Sequence, residues 1–142
     1  MRLTVRRAGP FDARALAEVL ETAGDAVAAK KAMRAQLDAH GTLCHLVEDE
    51  HGIILGFQCI APIPEVGAGA GIISFTISGN LAIEAGSTLF KATRAAARDA
   101  GFDWLEARVR ADNTKALTYY QSRGFEALRD AAPYLRLRYD LR

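Results

Sequence analysis

The sequence predicts a mixed α/β (α+β) fold built as a single domain over residues 1–142. Half of the 142 residues are hydrophobic, which is enough for one core and leaves little room for two. Segments with strand-like alternation or β-branched residues are interleaved with segments of helical spacing along the chain. The predicted order is a strand, two helices, three strands, a helix, a strand, a helix and one or two final strands.

The charge balance argues against several classes of partner. Lysine and arginine number 18 and aspartate and glutamate 17, so the chain lacks the basic excess typical of nucleic-acid or membrane-surface binding. No apolar run approaches the roughly 20 residues that span a bilayer, and no signal-peptide core follows the charged N-terminus. We therefore expect a cytoplasmic protein with no nucleic-acid partner and no membrane partner.

The N-terminal third predicts one strand followed by two helices. Residues 3–8 alternate apolar and charged side chains, which is typical of a strand with one wet face. A Gly-Pro pair then interrupts the strand, and proline suits the first turn of a helix. Apolar residues at helical spacing predict a helix over residues 11–23, and a second, Ala-rich helix is expected to end near residue 39.

The middle of the chain predicts a hairpin and a central strand. Residues 42–48 and 53–61 are rich in β-branched and apolar residues and flank a turn sequence at 49–52. Residues 67–71 read Gly-Ala-Gly-Ala-Gly and predict a flexible loop, either a hairpin connection or a flap over a substrate. Residues 72–77 carry the signal of a central strand.

The C-terminal half predicts two further helices and their strands. Residues 85–100 have a helical apolar stripe, and Gly101 is a natural C-terminal stop. A strand is predicted over residues 103–110, followed by a helix capped by Asp112 and Asn113 that runs to Arg123. The final stretch to residue 142 alternates and predicts one or two strands.

Cysteine and histidine usage predicts neither a disulfide framework nor a metal site. Cys44 and Cys59 fall on neighbouring predicted strands and could lie close together, but in a cytosolic protein two buried thiols are the expected state. The histidines His40, His45 and His51 show no metal-ligand spacing.

The most specific chemical signal runs from Asn113 to Phe125. Asn113, Ala116 and Tyr120 stand at i, i+3 and i+7, so a helix places them on one side. A phenol of reference pKa about 10 keeps its proton at neutral pH and can donate it to a departing thiolate. The structural alternatives are that Tyr120 is a core side chain and that Asn113 is only a helix cap.

The pattern Asn-x-x-Ala-x-x-x-Tyr-x-x-x-Gly-Phe after a strand resembles the C-terminal half of the GCN5-related N-acetyltransferases, or GNAT family. The strand, loop and helix over residues 72–101 are similar to that family's acetyl-CoA-binding unit in position and length. The resemblance implies a mixed, mostly antiparallel sheet flanked by helices, with splayed central strands. It also implies acetyl transfer from acetyl-CoA, as co-substrate, to a small-molecule amine by direct attack in a ternary complex, and pairing into a homodimer.

The resemblance further implies individual roles. Tyr120 matches the general acid that protonates the CoA thiolate. Main-chain groups after the central strand would bond to pantetheine, and amides at the following helix N-terminus would bind the pyrophosphate, where orphan N–H groups and the helix dipole favour an anion. The cofactor-binding positions implied in this way are Ile77, Ser78, Glu84, Ala85, Gly86, Ser87 and Asn113.

The pyrophosphate loop departs from the family pattern Gln/Arg-x-x-Gly-x-Gly/Ala. Aligned on Gly86, this chain has Leu81 at the first position and Glu84 in place of the first glycine. The Glu84 side chain either lies in solvent and stabilises the helix start through the dipole, or it weakens CoA binding. In the second case the chain would be a binding or regulatory module that keeps the fold.

The sequence assigns no general base and no acceptor. Glu106, on the strand predicted over residues 103–110, is a candidate base, but a salt bridge with Arg108 or Arg110 is the simpler interpretation. A water molecule can carry the proton of the amine instead.

Overall fold

The computed structural model describes residues 2–21, 41–64, 67–76, 81–128 and 133–142. The second predicted helix lies outside these residues, as do Ile77 and Ser78. No helix in the described ranges is both long and apolar enough to cross a membrane.

The described residues form a mixed sheet flanked by helices. The strands are β1 (Thr4–Ala8), β2 (Leu43–Glu48), β3 (Ile54–Pro62), β4 (Gly69–Thr76), β5 (Trp104–Arg110), β6 (Glu126–Ala127) and β7 (Tyr134–Asp140). The helices are α1 (Ala13–Glu21), preceded by a 3-10 turn at Pro10–Asp12, α2 (Ala82–Asp99) and α3 (Thr114–Arg123). The strand order is β1-β2-β3-β4-β5-β7-β6, with β4 and β5 parallel and the β1–β2, β5–β7 and β6–β7 pairs antiparallel. The predicted mixed sheet with flanking helices is confirmed.

The glycine-rich segment is the clearest departure from the predicted elements. Residues 69–71 belong to β4, so the expectation of a loop over residues 67–71 is wrong for these three. A Cβ at Gly69 would lie 2.5 Å from the Trp104 indole, which shows that the indole occupies the space of the missing side chain. Glycine is therefore present here for close packing between strands rather than for a turn.

The chain divides into two compact units. One consists of Met1–Cys59 and Ser74–Thr93, and the other of Ile60–Ile73 and Arg94–Arg142. The first unit packs a helix on each face of its strands. On one face, Leu16 and Ala17 of α1 meet Phe57 and its neighbours, and on the other, Leu89 of α2 meets Val47. The β2 alternation thus separates two hydrophobic clusters.

Cys44 and Cys59 form a disulfide between the neighbouring strands β2 and β3. Their Cα atoms are 4.1 Å apart, and both residues are almost fully buried among the side chains that face α1. The expectation of two free thiols is therefore wrong. The predicted β2–β3 hairpin is confirmed, and it brings the two side chains together on one face.

The second unit is organised by the β5–β7 ladder. Leu105 pairs with Tyr139 and Ala107 with Leu137, and three of these four side chains are buried. The alternate positions of both strands form the opposite face, which remains partly or fully exposed. This asymmetry gives the ladder one packed face and one open face.

Candidate active site

Helix α2 begins at Ala82, three residues earlier than predicted. The Ala85 amide donates to the Leu81 carbonyl at 2.8 Å, which is the first turn of the helix. The amides of Ala82, Ile83 and Glu84 therefore have no acceptor within the helix. The amides of Gly86 and Ser87 come after the first turn, where the helix supplies the carbonyl four residues earlier as an acceptor. Of the four amides predicted to bind a pyrophosphate, that of Glu84 lies in the first turn of the helix, and that of Ala85 donates to the Leu81 carbonyl. The cofactor roles of the four residues stay predictions.

Glu84 is exposed at the start of α2. This agrees with the interpretation that its side chain lies in solvent. Its carbonyl accepts a hydrogen bond from the Thr88 hydroxyl at 2.7 Å. An acidic residue in the first turn stabilises a helix through the dipole. Gly86 is buried in the same turn, so the glycine that matches the family pattern is enclosed by protein.

The β4–β5 ladder is short. Its parallel register joins Gly69 to Trp104, Ala70 to Leu105 and Gly71 to Glu106. Ile72 and Ile73 continue β4 within the same unit beyond the last of these pairs. The two strands therefore separate after Gly71, as the predicted splay requires.

Asn113 is the N-cap of α3. Its Oδ1 accepts a hydrogen bond from the Ala116 amide at 3.1 Å. This contact accounts for the three-residue spacing of Asn and Ala in the motif, because an N-cap side chain reaches the amide at N3. The cap uses only the side-chain oxygen, so the amide Nδ2 is the donor that a cofactor contact would use.

Tyr120 is buried near the C-terminal end of α3. The Phe125 amide donates to the Tyr120 carbonyl at 3.0 Å, and the Gly124 amide to the Gln121 carbonyl at 3.1 Å. Gly124 has φ 108°, so the helix ends in a Schellman motif. The Tyr120 and Phe125 rings meet edge to face, with centroids 5.0 Å apart.

The aromatic contacts continue from Phe125 to β7 and α2. Phe125 lies 5.3 Å from the Tyr139 ring, and Arg94 Nη1 donates to the Tyr139 hydroxyl at 3.4 Å. Arg94 is half-buried. Its partner lies 45 residues away, so no local spacing indicates the contact.

The candidate base Glu106 is paired. Its carboxylate lies 3.6 Å from Arg136 Nη1 of β7, whereas the expected partners were Arg108 and Arg110. Arg108 and Arg110 lie on the same strand as Glu106, but it is Arg136 on the neighbouring strand β7 that reaches the carboxylate. No group of three or more His, Cys, Asp or Glu side chains suited to a metal ion occurs among the described residues.

Sequence reasoning also missed a buried polar pair in the first unit. The Thr93 hydroxyl of α2 donates to Gln58 Oε1 of β3 at 2.6 Å, and both residues are 1% exposed. A buried amide and hydroxyl are stable only when hydrogen-bonded, so this contact fixes the orientation of both side chains. Neither residue stands in a recognisable motif, and only the fold brings them together.

Solved structures share this arrangement over nearly the whole chain. A GNAT-family acetyltransferase from Desulfovibrio desulfuricans superposes with a TM-score of 0.81 at 19% identity, covering 99% of this chain and 100% of its own. The fold is that of the GNAT acetyltransferases. A Salmonella typhimurium acetyltransferase with its cofactor acetyl-CoA gives 0.77 at 14% identity, covering 99% and 94% of the two chains.

A third solved structure, the ribosomal-protein-alanine N-acetyltransferase of Brucella melitensis, gives a TM-score of 0.74 at 18% identity, covering 96% of this chain and 99% of its own. No protein-family model matches the sequence, and no curated protein matches it. The likeness is therefore one of fold. The cofactor-binding and catalytic roles of individual residues remain predictions.

Proposed function

We propose that this protein is an acetyl-CoA-dependent N-acetyltransferase acting on the primary amine of a small molecule or amino-acid-like acceptor. The GNAT fold carries the proposal, since acetyltransferases with this fold cover almost the whole chain. The short β4–β5 ladder and the helix start after β4 agree with it. In the proposed reaction the amine nitrogen attacks the acetyl carbonyl directly, within a ternary complex.

Tyr120 is the proposed general acid. As the amine forms the new C–N bond, the C–S bond breaks and the departing thiolate takes the Tyr120 phenolic proton. The attacking nitrogen releases a proton to water, and the phenol is reprotonated from solvent. Burial of Tyr120 against Phe125 holds the ring in one orientation, which a positioned acid needs.

The amides in the first turn of α2, which have no acceptor within the helix, are the proposed pyrophosphate donors. Main-chain N–H groups and the helix dipole bind an anion without basic side chains. The near-neutral net charge of +1 is therefore compatible with a polyanionic co-substrate. The proposed donors are the first-turn amides of Ala82, Ile83 and Glu84. The other predicted contacts with the cofactor are Ala85, Gly86, Ser87, Asn113 and the main chain of Ile77 and Ser78.

The departure of the pyrophosphate loop from the family pattern, with Glu84 in place of its first glycine, supports a second candidate function, a GNAT-fold binding or regulatory module with weakened CoA binding. Titration calorimetry with acetyl-CoA, followed by mass spectrometry of an amine panel, separates the two. Micromolar affinity with an acetylated product supports the enzyme, and no heat at millimolar acetyl-CoA contradicts it. Glu84→Gln is the matched variant, because it keeps the shape and removes the charge that would oppose the phosphates.

Two further predictions concern a homodimer, which the resemblance implies, and a cytoplasmic location, which is expected from the apolar runs and the N-terminal sequence. Light scattering on purified protein measures the first. The Cys44–Cys59 disulfide bears on the second, because disulfides persist mainly in oxidising compartments. Thiol labelling of the protein inside cells shows whether the bond forms there.

A further inference from the structure

The open face of the β5–β7 ladder is rich in arginine. Successive side chains of a strand point to opposite faces of the sheet. Every second residue of β5 therefore lies on the open face together with its register partner on β7. The paired positions are Trp104 with Asp140, Glu106 with Arg138, Arg108 with Arg136 and Arg110 with Tyr134. These residues are exposed or half-buried, and all belong to the second unit.

Arg108 and Arg136 stand directly opposite each other across the two antiparallel strands. Like charges in this arrangement repel and destabilise the sheet unless an anion lies between them. Arg136 has Glu106 as a partner at 3.6 Å. In the described ranges no carboxylate pairs with Arg108, whose guanidinium lies 4.5 Å from the Tyr134 ring centroid.

Tyr134 has an arginine on two sides. Arg108 lies over its ring, and Arg110 is its register partner on β5. Arg110 is itself neutralised by Asp112 through two hydrogen bonds of 3.1 and 3.3 Å. Stacking on an aromatic ring orients a guanidinium and leaves its N–H edge available for a planar anion. Arg108 is therefore oriented by the Tyr134 ring, and no carboxylate among the described residues neutralises it.

Tyr120 and the arginines lie on opposite faces of the β5–β7 ladder. Tyr120 packs on Phe125 and so on Tyr139, whose register partner is buried Leu105. The proposed general acid thus belongs to the packed face of the ladder. The two faces meet where β4 and β5 separate beyond the Gly71–Glu106 pair. Arg108 lies two residues further along β5 and therefore borders this separation on the open face.

We propose that Arg108, with Arg136 and Tyr134 beside it, binds the carboxylate of the acceptor. This inference rests on the proposed acetyl transfer and names its substrate class: an amino acid or another small amine that carries a carboxylate. A guanidinium donates two parallel hydrogen bonds to a carboxylate, and the anion also relieves the repulsion between the opposed arginines. A polyamine would instead bring positive charge to a positive site.

A binding experiment tests the site without acetyl transfer. Arginine Nε–Hε resonances are followed during titration with L-methionine and L-alanine, each against its α-carboxamide. We expect Arg108 to shift with at least one amino acid and not with the matching carboxamide. Arg138→Gln is the control on the same face, because that charge is already paired with Asp140 at 2.8 Å. No shift of Arg108 with any of the amino acids would overturn the inference.

Turnover separates the inference from the proposed function. With acetyl-CoA, Arg108→Gln should raise KM for the carboxylate-bearing acceptor about 10- to 100-fold and change kcat much less. Arg138→Gln should leave both near the wild-type values. Acetylation of polyamines but of no amino acid would support the proposed function and overturn the carboxylate site. Carboxylate binding at Arg108 without acetylation of any amine would support the site and overturn the proposed acetyl transfer.

Discussion

The Phe125 amide donates a hydrogen bond to the Tyr120 carbonyl at 3.0 Å, and the rings of the same two residues meet edge to face at 5.0 Å. One pair of residues thus makes both the backbone bond and the hydrophobic contact of a Schellman helix end. The spacing Tyr-x-x-x-Gly-Phe is the sequence form of that helix end. The glycine and phenylalanine of the motif are therefore explained by how the tyrosine is held.

Gly124→Ala should destabilise the protein through two effects. The φ of 108° is unfavourable for any side chain, and a Cβ there would lie 3.2 Å from the Tyr139 ring. We expect the free energy of unfolding to fall by about 1–3 kcal/mol in a denaturant titration. Gly101→Ala is the control, since Gly101 has φ 88° and open space around it. Equal losses in the two variants would show that the Tyr139 contact contributes nothing.

Tyr120→Phe should lower kcat about 100-fold and leave acetyl-CoA affinity within about threefold. Phenylalanine keeps the ring contacts with Phe125 and removes only the acidic hydroxyl. The neighbouring variant Tyr119→Phe removes the same group one position away and should retain turnover. The measurements are steady-state kinetics and calorimetry on both variants. Unchanged kcat in Tyr120→Phe, or a parallel loss of acetyl-CoA binding, would contradict the role of general acid.

The elements that sequence analysis predicted well are set by local rules. The hairpin turn at residues 49–53 follows from Asp49, whose carboxylate accepts from the amides of His51 and Ile53. The cap at Asn113 and the stop at Gly124 are likewise local. In each case the deciding hydrogen bond joins residues fewer than six apart, so it leaves a mark in a short stretch of sequence.

The misses depend on partners from distant strands. Nothing near residues 67–71 indicates that Trp104 fills the space beside Gly69. The sequence predicts the start of α2 three residues too late. Leu81, which precedes the helix, has no side-chain oxygen that could cap it, so no capping residue in the sequence marks the helix start. The opposed arginines Arg108 and Arg136 are adjacent only in the β5–β7 register. Such features require the fold before they can be recognised.

Gly69→Ala should displace the Trp104 indole. An added Cβ would lie 2.5 Å from the ring, so the indole or the strand must shift, at a cost of about 1–3 kcal/mol. Trp104 is the single tryptophan of the chain, so its fluorescence maximum reports the change directly. Gly67→Ala is the control, because no atom lies within 4 Å of a Cβ at that position. An unchanged emission spectrum in Gly69→Ala would show that the ring does not occupy this space.

The Cys44–Cys59 disulfide should survive purification without reductant and contribute to stability. It closes a loop with a sequence separation of 15, for which chain-entropy estimates give about 3 kcal/mol. Alkylation in denaturant should label the protein only after reduction, as read by intact mass. The double variant Cys44→Ala/Cys59→Ala should unfold at lower denaturant concentration than the oxidised protein and match the reduced one approximately. Labelling without reduction would contradict the bond.

Stability should fall at acid pH through Asp12. Its carboxylate bonds to Arg6 at 2.8 and 3.2 Å and to the Gly9 amide at 2.9 Å, and these contacts lower its pKa. A lowered folded-state pKa means that the stabilisation is complete above the unfolded pKa of about 3.9 and is lost as pH falls through the folded value.

Asp12→Ala should therefore unfold more easily than wild type at pH 7, by about 1–2 kcal/mol, with the difference shrinking below pH 4. Asp112→Ala is the control. The pKa of that carboxylate is also lowered, by Arg110, but the pair is fully exposed and solvent screens it. Thermal unfolding from pH 2 to 7 measures all three proteins, and a constant gap between Asp12→Ala and wild type across that range would contradict the titration of Asp12.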